Sequence, residues 1–201
     1  MNRTRLHLLG IALLLPTIAL TSRSGAAAPL ALDSDTELQG AMERDETPHA
    51  SHAQPTSPLV QKVLEATERF RDPQVAIDDG KYVPFGGCVS GPEFGAMGVH
   101  FVNPAFLQDK KLEVTEPEAL IYELQGGRAR LVGVEYIIPA VDWDTANGDV
   151  PPVLEGQLFH FVDSPNRFRL PAHYELHVWA YRENPNGTFV DWNPRVSCDG
   201  Q

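Results

Sequence analysis

One stretch constrains the fold of this chain more than any other: His173-Tyr174-Glu175-Leu176-His177-Val178-Trp179. Successive side chains of a β-strand point to opposite faces. Tyr174, Leu176 and Val178, continued by Ala180, therefore form one apolar row, while His173, Glu175, His177 and Trp179 share the other face. A helix would set His173 and His177 one turn apart, but Tyr, Val and Trp in strict alternation favour a strand. A strand is expected over 174–182. Such a strand requires a sheet whose two faces differ in character.

The rest of the chain supplies that sheet and a cover for it. Ser57 can cap a helix and Pro58 suits its first position. Val60, Val63, Leu64, Thr67 and Phe70 then recur at helical spacing, with Gln61, Lys62, Glu65 and Glu68 outward, and the helix should stop before Pro73. A second short helix is expected over 73–79, closed by Gly80 as a left-handed cap. Beyond Tyr82 the sequence is β-rich. Strands are expected over 99–102, ended by Asn103-Pro104, and over 119–124 and 129–138, joined by the hairpin signal Gln125-Gly126-Gly127-Arg128. An acidic, Pro-rich loop should follow over 139–152. Helices first and then mostly antiparallel strands make this an α+β domain, with N-terminal helices packed on a mostly antiparallel sheet or partial barrel. Its expected extent is 58–201.

The preceding residues read as an address. Arg3 and Arg5 open the chain, an apolar run spans 6–20, and small residues follow at 24–28. This is the pattern of a signal peptide over 1–27, cleaved near Ala26 or Ala27, and it is too short and broken for a stable membrane anchor. Residues 28–57 are rich in Pro, Ser, Thr and acids and poor in large apolar side chains, as expected of a disordered spacer. A secreted or periplasmic location follows. The formal net charge is −11 and the pI about 5.0, which argues against non-specific binding of nucleic acid or anionic membranes. The leader contributes three of the arginines and no acid, so the exported protein is more acidic still.

Cys88 and Cys198 are the only cysteines. In an oxidising compartment a sparse, even count reads as one disulfide. Closing a loop of about 110 residues restricts the unfolded chain by roughly 4–5 kcal/mol on the entropic account. Neither cysteine has the CxxC spacing of a redox catalyst.

Ionisable side chains in the middle of apolar strands are costly unless paired or ligated. His100 interrupts Gly98-Val99-His100-Phe101, Glu135 interrupts Val132-Gly133-Val134-Glu135-Tyr136, and His173, Glu175 and His177 share one strand face. Imidazole and carboxylate together suit a divalent transition metal (Zn, Mn, Fe, Ni or Cu), with room left for water or a small-molecule substrate. The expected ligands are His100, Glu135, His173 and His177, with Glu175 as the candidate catalytic base. Four residues of strand separate the Cα atoms of His173 and His177 by roughly 13 Å. Either a bulge draws these two together or only one ligates and the other supports it. The spacing H-x-E-x-H is not the H-E-x-x-H of zinc proteases, and that reading is rejected. The competing explanations are a hydrogen-bonded core network and a solvated sheet face. A non-catalytic module for a small ligand or haem would use the same groups, with Trp143, Trp179 and Trp192 lining the pocket.

Weaker features have ordinary explanations. Asp142, Asp144, Asn147 and Asp149 lack calcium-loop spacing and read as turn acids. His160 sits near a loop, His49 and His52 lie in the spacer, and Met97 reads as packing.

Three motifs carry a resemblance: Met97-Gly98-Val99-His100-Phe101-Val102-Asn103-Pro104, the His173–Trp179 stretch already quoted, and Asn193-Pro194-Arg195-Val196-Ser197-Cys198. With Leu131-Val132-Gly133-Val134-Glu135-Tyr136, they resemble an uncharacterised group of exported bacterial proteins over roughly residues 60 to 198. The resemblance implies export and a single domain, and implies no particular activity.

Overall fold

The computed structural model describes residues 57–91 and 93–199. The expected signal peptide, His49, His52 and all of the expected spacer except Ser57 lie outside the described residues. Helix α1 (Pro58–Thr67) starts at the expected proline and buries Leu59, Val60, Val63 and Thr67. Ser57 stands at the cap position, but its side chain makes no capping bond. A 3-10 turn (Glu68–Arg71) buries Phe70. Helix α2 (Pro73–Asp78) is capped by the Asp72 carboxylate, which accepts from Gln74 N–H. Gly80 serves packing rather than the left-handed turn expected of it. A Cβ there would lie 2.7 Å from Phe70 and 2.8 Å from Tyr82, while the positive φ of 59° falls on Lys81.

The strands are β1 (Val83–Gly91), β2 (Gly95–Val102), β3 (Ala119–Gln125), β4 (Arg128–Pro139), β5 (Val153–Leu154), β6 (Gln157–Leu158), β7 (His160–Val162) and β8 (His173–Val178). Six of them form one antiparallel sheet in the order β1-β2-β3-β4-β8-β7, and β5 and β6 pair separately. Gly126 and Gly127, both with positive φ, make the tight turn between β3 and β4. The architecture is the expected α+β domain.

Strands β1, β5, β6 and β7 lie where no strand was expected, and three further segments depart from the sequence-based expectation. Helix α3 (Pro104–Asp109) follows Asn103, whose side chain stops the strand and caps the helix by accepting from Ala105 and Phe106 N–H. Helix α4 (Ala140–Asn147) occupies most of the expected acidic loop; of its residues only Ala140 is buried, so it carries no apolar stripe to announce it. Strand β8 ends at Val178 rather than 182, where the chain turns so that Trp179 N–H donates to Thr188 O.

The sheet has two unlike faces. One packs Val99, Phe101, Leu120, Tyr122, Val134, Tyr136, Leu176 and Val178 with the buried side chains of α1 and α2 as the main core. The other carries a smaller apolar cluster of Ala96, Ile121, Val132, Trp179 and Val196. The disulfide Cys88–Cys198 forms as expected, with Cα atoms 5.6 Å apart, and ties β1 to the C-terminal segment beside this smaller cluster. The ionisable residues share that second face.

Candidate metal centre

Register places the site. Glu135 of β4 lies directly opposite His177 of β8, and Ala119 of β3 lies on the other side of Glu135. His100 of β2 pairs with Ile121, two pairs along from Val102–Ala119 and so on the same face. Directly paired residues point to the same face of a sheet. His100 and Glu135 are thus diagonal neighbours across β3, and the small Ala119 beside Glu135 leaves room for the two to meet. His100 Nε2 is 3.3 Å from Glu135 Oε2, and His177 Nε2 is 3.8 Å from Glu135 Oε1. The rings of His100 and His177 are 5.9 Å apart at their centres, and Trp179 stacks on His177 with centres 6.1 Å apart.

Burial of these groups is nearly complete: His177 is 1% exposed, Glu135 5% and His100 9%. The solvated-face explanation therefore does not apply. His100, Glu135 and His177 each offer a ligand atom within 4.8 Å of the others, so these three can hold a metal ion. A second group with the same property is Glu175, His177 and Asp191. Neither ring nitrogen of His177 has a hydrogen-bond partner among the described residues. Leaving a buried polar atom unsatisfied costs about 1–3 kcal/mol, and an imidazole whose Nε2 is unbonded in a carboxylate-rich interior has the character of a ligand.

The two nitrogens of His177 face different neighbours. Nε2 faces Glu135 and His100, while Nδ1 faces Asp191 Oδ1 at 3.6 Å. A carboxylate behind one ring nitrogen fixes the tautomer and turns the other nitrogen toward an ion. Asp191 also accepts from His160 Nδ1 at 2.9 Å, which holds the carboxylate in place near the half-exposed His160 ring.

His173 stands apart from both groups. Its Nδ1 lies 2.8 Å from Pro171 O and its Nε2 lies 3.1 Å from Glu175 Oε2. A carbonyl and a carboxylate are both acceptors, so both ring nitrogens donate, and neither is free to ligate. The strand keeps His173 and His177 separate, as the spacing along the chain requires. Glu175 lies between the two histidines, joined to His173 and within reach of His177 and Asp191.

Electrostatics follow from this burial. Burial, with His177 adding to it, pushes His100 down to about 3, so its imidazole is neutral and able to ligate. Burial, with Glu175 adding to it, raises Glu135 to about 8. Burial works against a charge on His177, but Glu135, then Asp191 and Glu175, outweigh it and raise its pKa. The same opposition raises His173 through its bonds to Glu175 and Pro171, and lowers Glu175 through His173. His173 and Glu175 thus cancel as an ion pair. Glu135 keeps its proton chiefly because it is buried, and His177 because Glu135 and Asp191 face it; a divalent cation would displace both protons and stand against the two carboxylates.

A cavity of about 540 Å³ opens on this end of the sheet, with His100, Glu135, His173 and Glu175 among its lining residues. None of the three tryptophans lines it. Trp143 donates to Val150 O, Trp179 donates to Val190 O, and Trp192 packs over Gly91. Met97 is buried and also lines the cavity. The acids of α4 are engaged locally: Asp142 with Lys110 and Asp144 with the Tyr174 hydroxyl.

Asp191 is the member that sequence reasoning missed. It lies within a run of turn residues between Val190 and Trp192, where no periodicity marks an inward-facing acid. Comparison with protein-family models, with curated proteins and with solved structures finds no match to this chain.

Proposed function

We propose that this is an exported metal-binding protein with a mononuclear centre formed by His100 Nε2, His177 Nε2 and Glu135. The observation that carries the reading is His177, buried to 1% exposure with both nitrogens unsatisfied and a carboxylate facing each. Two imidazoles and one carboxylate are a donor set used for divalent transition metals in sites that keep a position open for water or substrate. Glu135 borders the cavity, so that open position would face it. Such an ion would activate a bound water or polarise a bound oxygen ligand, with Glu175, ionised and held by His173, as the adjacent base. Two features are compatible with a location outside the cytoplasm: the disulfide, and the absence among the described residues of a helix long and apolar enough to cross a membrane. Elemental analysis of protein purified without an affinity tag tests the reading. About one equivalent of metal is expected in the wild type and loss of it in His100→Ala and His177→Ala, each with an intact fold. Metal-free wild type that also ignores added Zn, Mn, Fe, Ni and Cu would overturn it.

A further inference from the structure

The cavity has more character than a metal centre alone needs. His100, Glu135, His173 and Glu175 are its polar lining, and Val102 of β2, Leu107 of α3, Ile137 of β4 and Leu170 supply apolar walls. A volume of about 540 Å³ falls within the roughly 300–1,000 Å³ of sites for small organic ligands. Water alone would be poorly held against such walls, because ordered water needs several polar partners. A fitting occupant is therefore apolar over most of its surface and polar at one end.

The polar end is set by the vacant position on the ion and by the cation beside the cavity. Glu135 and Asp191 together balance a divalent ion and the His173–Glu175 pair adds no net charge, so the centre itself does not repel an anionic oxygen ligand. Arg167 also lines the cavity. Its guanidinium donates to Ser90 O at 3.0 Å and lies over the Trp192 ring at 5.6 Å. Among the described residues no carboxylate lies within salt-bridge distance of it, whereas Arg182 and Arg195 are each paired with a glutamate. An unneutralised cation at a cavity draws anions toward it.

We infer that the cavity binds a small apolar organic acid, its carboxylate directed at the ion held by His100, Glu135 and His177, and its hydrocarbon or aryl body packed against Val102, Leu107, Ile137 and Leu170. Arg167 favours the anion on entry. This inference rests on the metal reading and adds the ligand class to it.

Calorimetric titration of the zinc-loaded full chain tests it, with 4-phenylbutyrate, 4-phenylbutan-1-ol and 4-phenylbutylamine as probes of one body and three heads. The acid should bind at least about tenfold more tightly than the alcohol, a difference that one charge-assisted contact supplies, and the amine should not bind. Chelating the zinc should weaken the acid by about tenfold or more. Arg167→Gln should weaken it severalfold without changing zinc stoichiometry. Leu107→Glu should abolish acid binding while one zinc is retained, which also certifies that this variant folds. Zinc bound but acid ignored, or acid and alcohol bound equally, would overturn the ligand class and leave the metal reading standing. Acid affinity unchanged by chelation would overturn the assigned orientation. A chain that takes up none of Zn, Mn, Fe, Ni and Cu would overturn both.

Discussion

Replacing both half-cystines, Cys88→Ser with Cys198→Ser, perturbs the fold through a single covalent link whose effect follows from chain statistics. The bond joins residues 110 apart in sequence. In the loop-entropy treatment its removal returns about 16 cal/mol/K to the unfolded chain, or about 4.8 kcal/mol at 25 °C. Contact losses should be smaller, since Cys88 and Cys198 are both only partly buried. For a domain of this size, with a urea dependence of about 2 kcal/mol per molar, the midpoint of unfolding should fall by about 2.4 M. There is a local effect as well. Register between β1 and β2 slips between Phe85 and Val89, so Gly86, Gly87 and Cys88 bulge from the ladder while lining the cavity. With the link gone, amide exchange should quicken in β1 while β3, β4 and β8 stay protected. Urea titrations of the double variant, followed by hydrogen exchange, measure both effects. A midpoint drop below about 0.5 M, or loss of protection throughout the sheet at once, would refute the reasoning.

Other perturbations have defined outcomes. Glu118 is 1% exposed and burial raises its pKa from the ordinary 4.5 to about 8, against the hydrogen bond it accepts from Ile137 N–H. A raised carboxyl stabilises the fold fully below 4.5, and this contribution is lost progressively as pH climbs toward 8. Glu118→Gln, with no proton to lose, should therefore gain stability over the wild type between those limits, at up to about 1.4 kcal/mol per pH unit, in melts run from pH 4.5 to 8.5. Asp191→Asn should weaken zinc binding about 10- to 100-fold with little change in melting temperature, because it removes the carboxylate behind His177 Nδ1; competition with a chromophoric chelator reads this. His173→Gln should keep zinc stoichiometry unchanged, since both His173 nitrogens are engaged by Pro171 and Glu175, and elemental analysis decides it.

How much of this was legible in the sequence depends on the kind of signal each residue carries. Strict alternation in β8 gave away both the strand and the division between an apolar and an ionisable face, since period two has no other simple cause. Adjacent glycines at 126 and 127 located the hairpin because two successive positive-φ residues suit few others. Strand β1 was hidden: Pro84, three glycines and an exposed edge leave it no alternation to read. Helix α4 was hidden for the reason already given, a surface of acids with little burial. The candidate ligands His100 and Glu135 were visible one at a time, as charges inside apolar runs. That they meet depends on β3 lying between β2 and β4 with Ala119 at the crossing, and sheet order is not written in local pattern. Asp191 needed the long return of the chain after β8 to reach His177, and nothing in its immediate neighbours records that.

Anomalous diffraction from zinc-soaked crystals, collected on both sides of the zinc edge, addresses the central claim most directly. The account predicts one strong peak about 2.0–2.2 Å from His100 Nε2, His177 Nε2 and a Glu135 oxygen, with His173 still bound to Glu175. A peak confined to the surface, or no peak while His100 and His177 keep their positions, would contradict it.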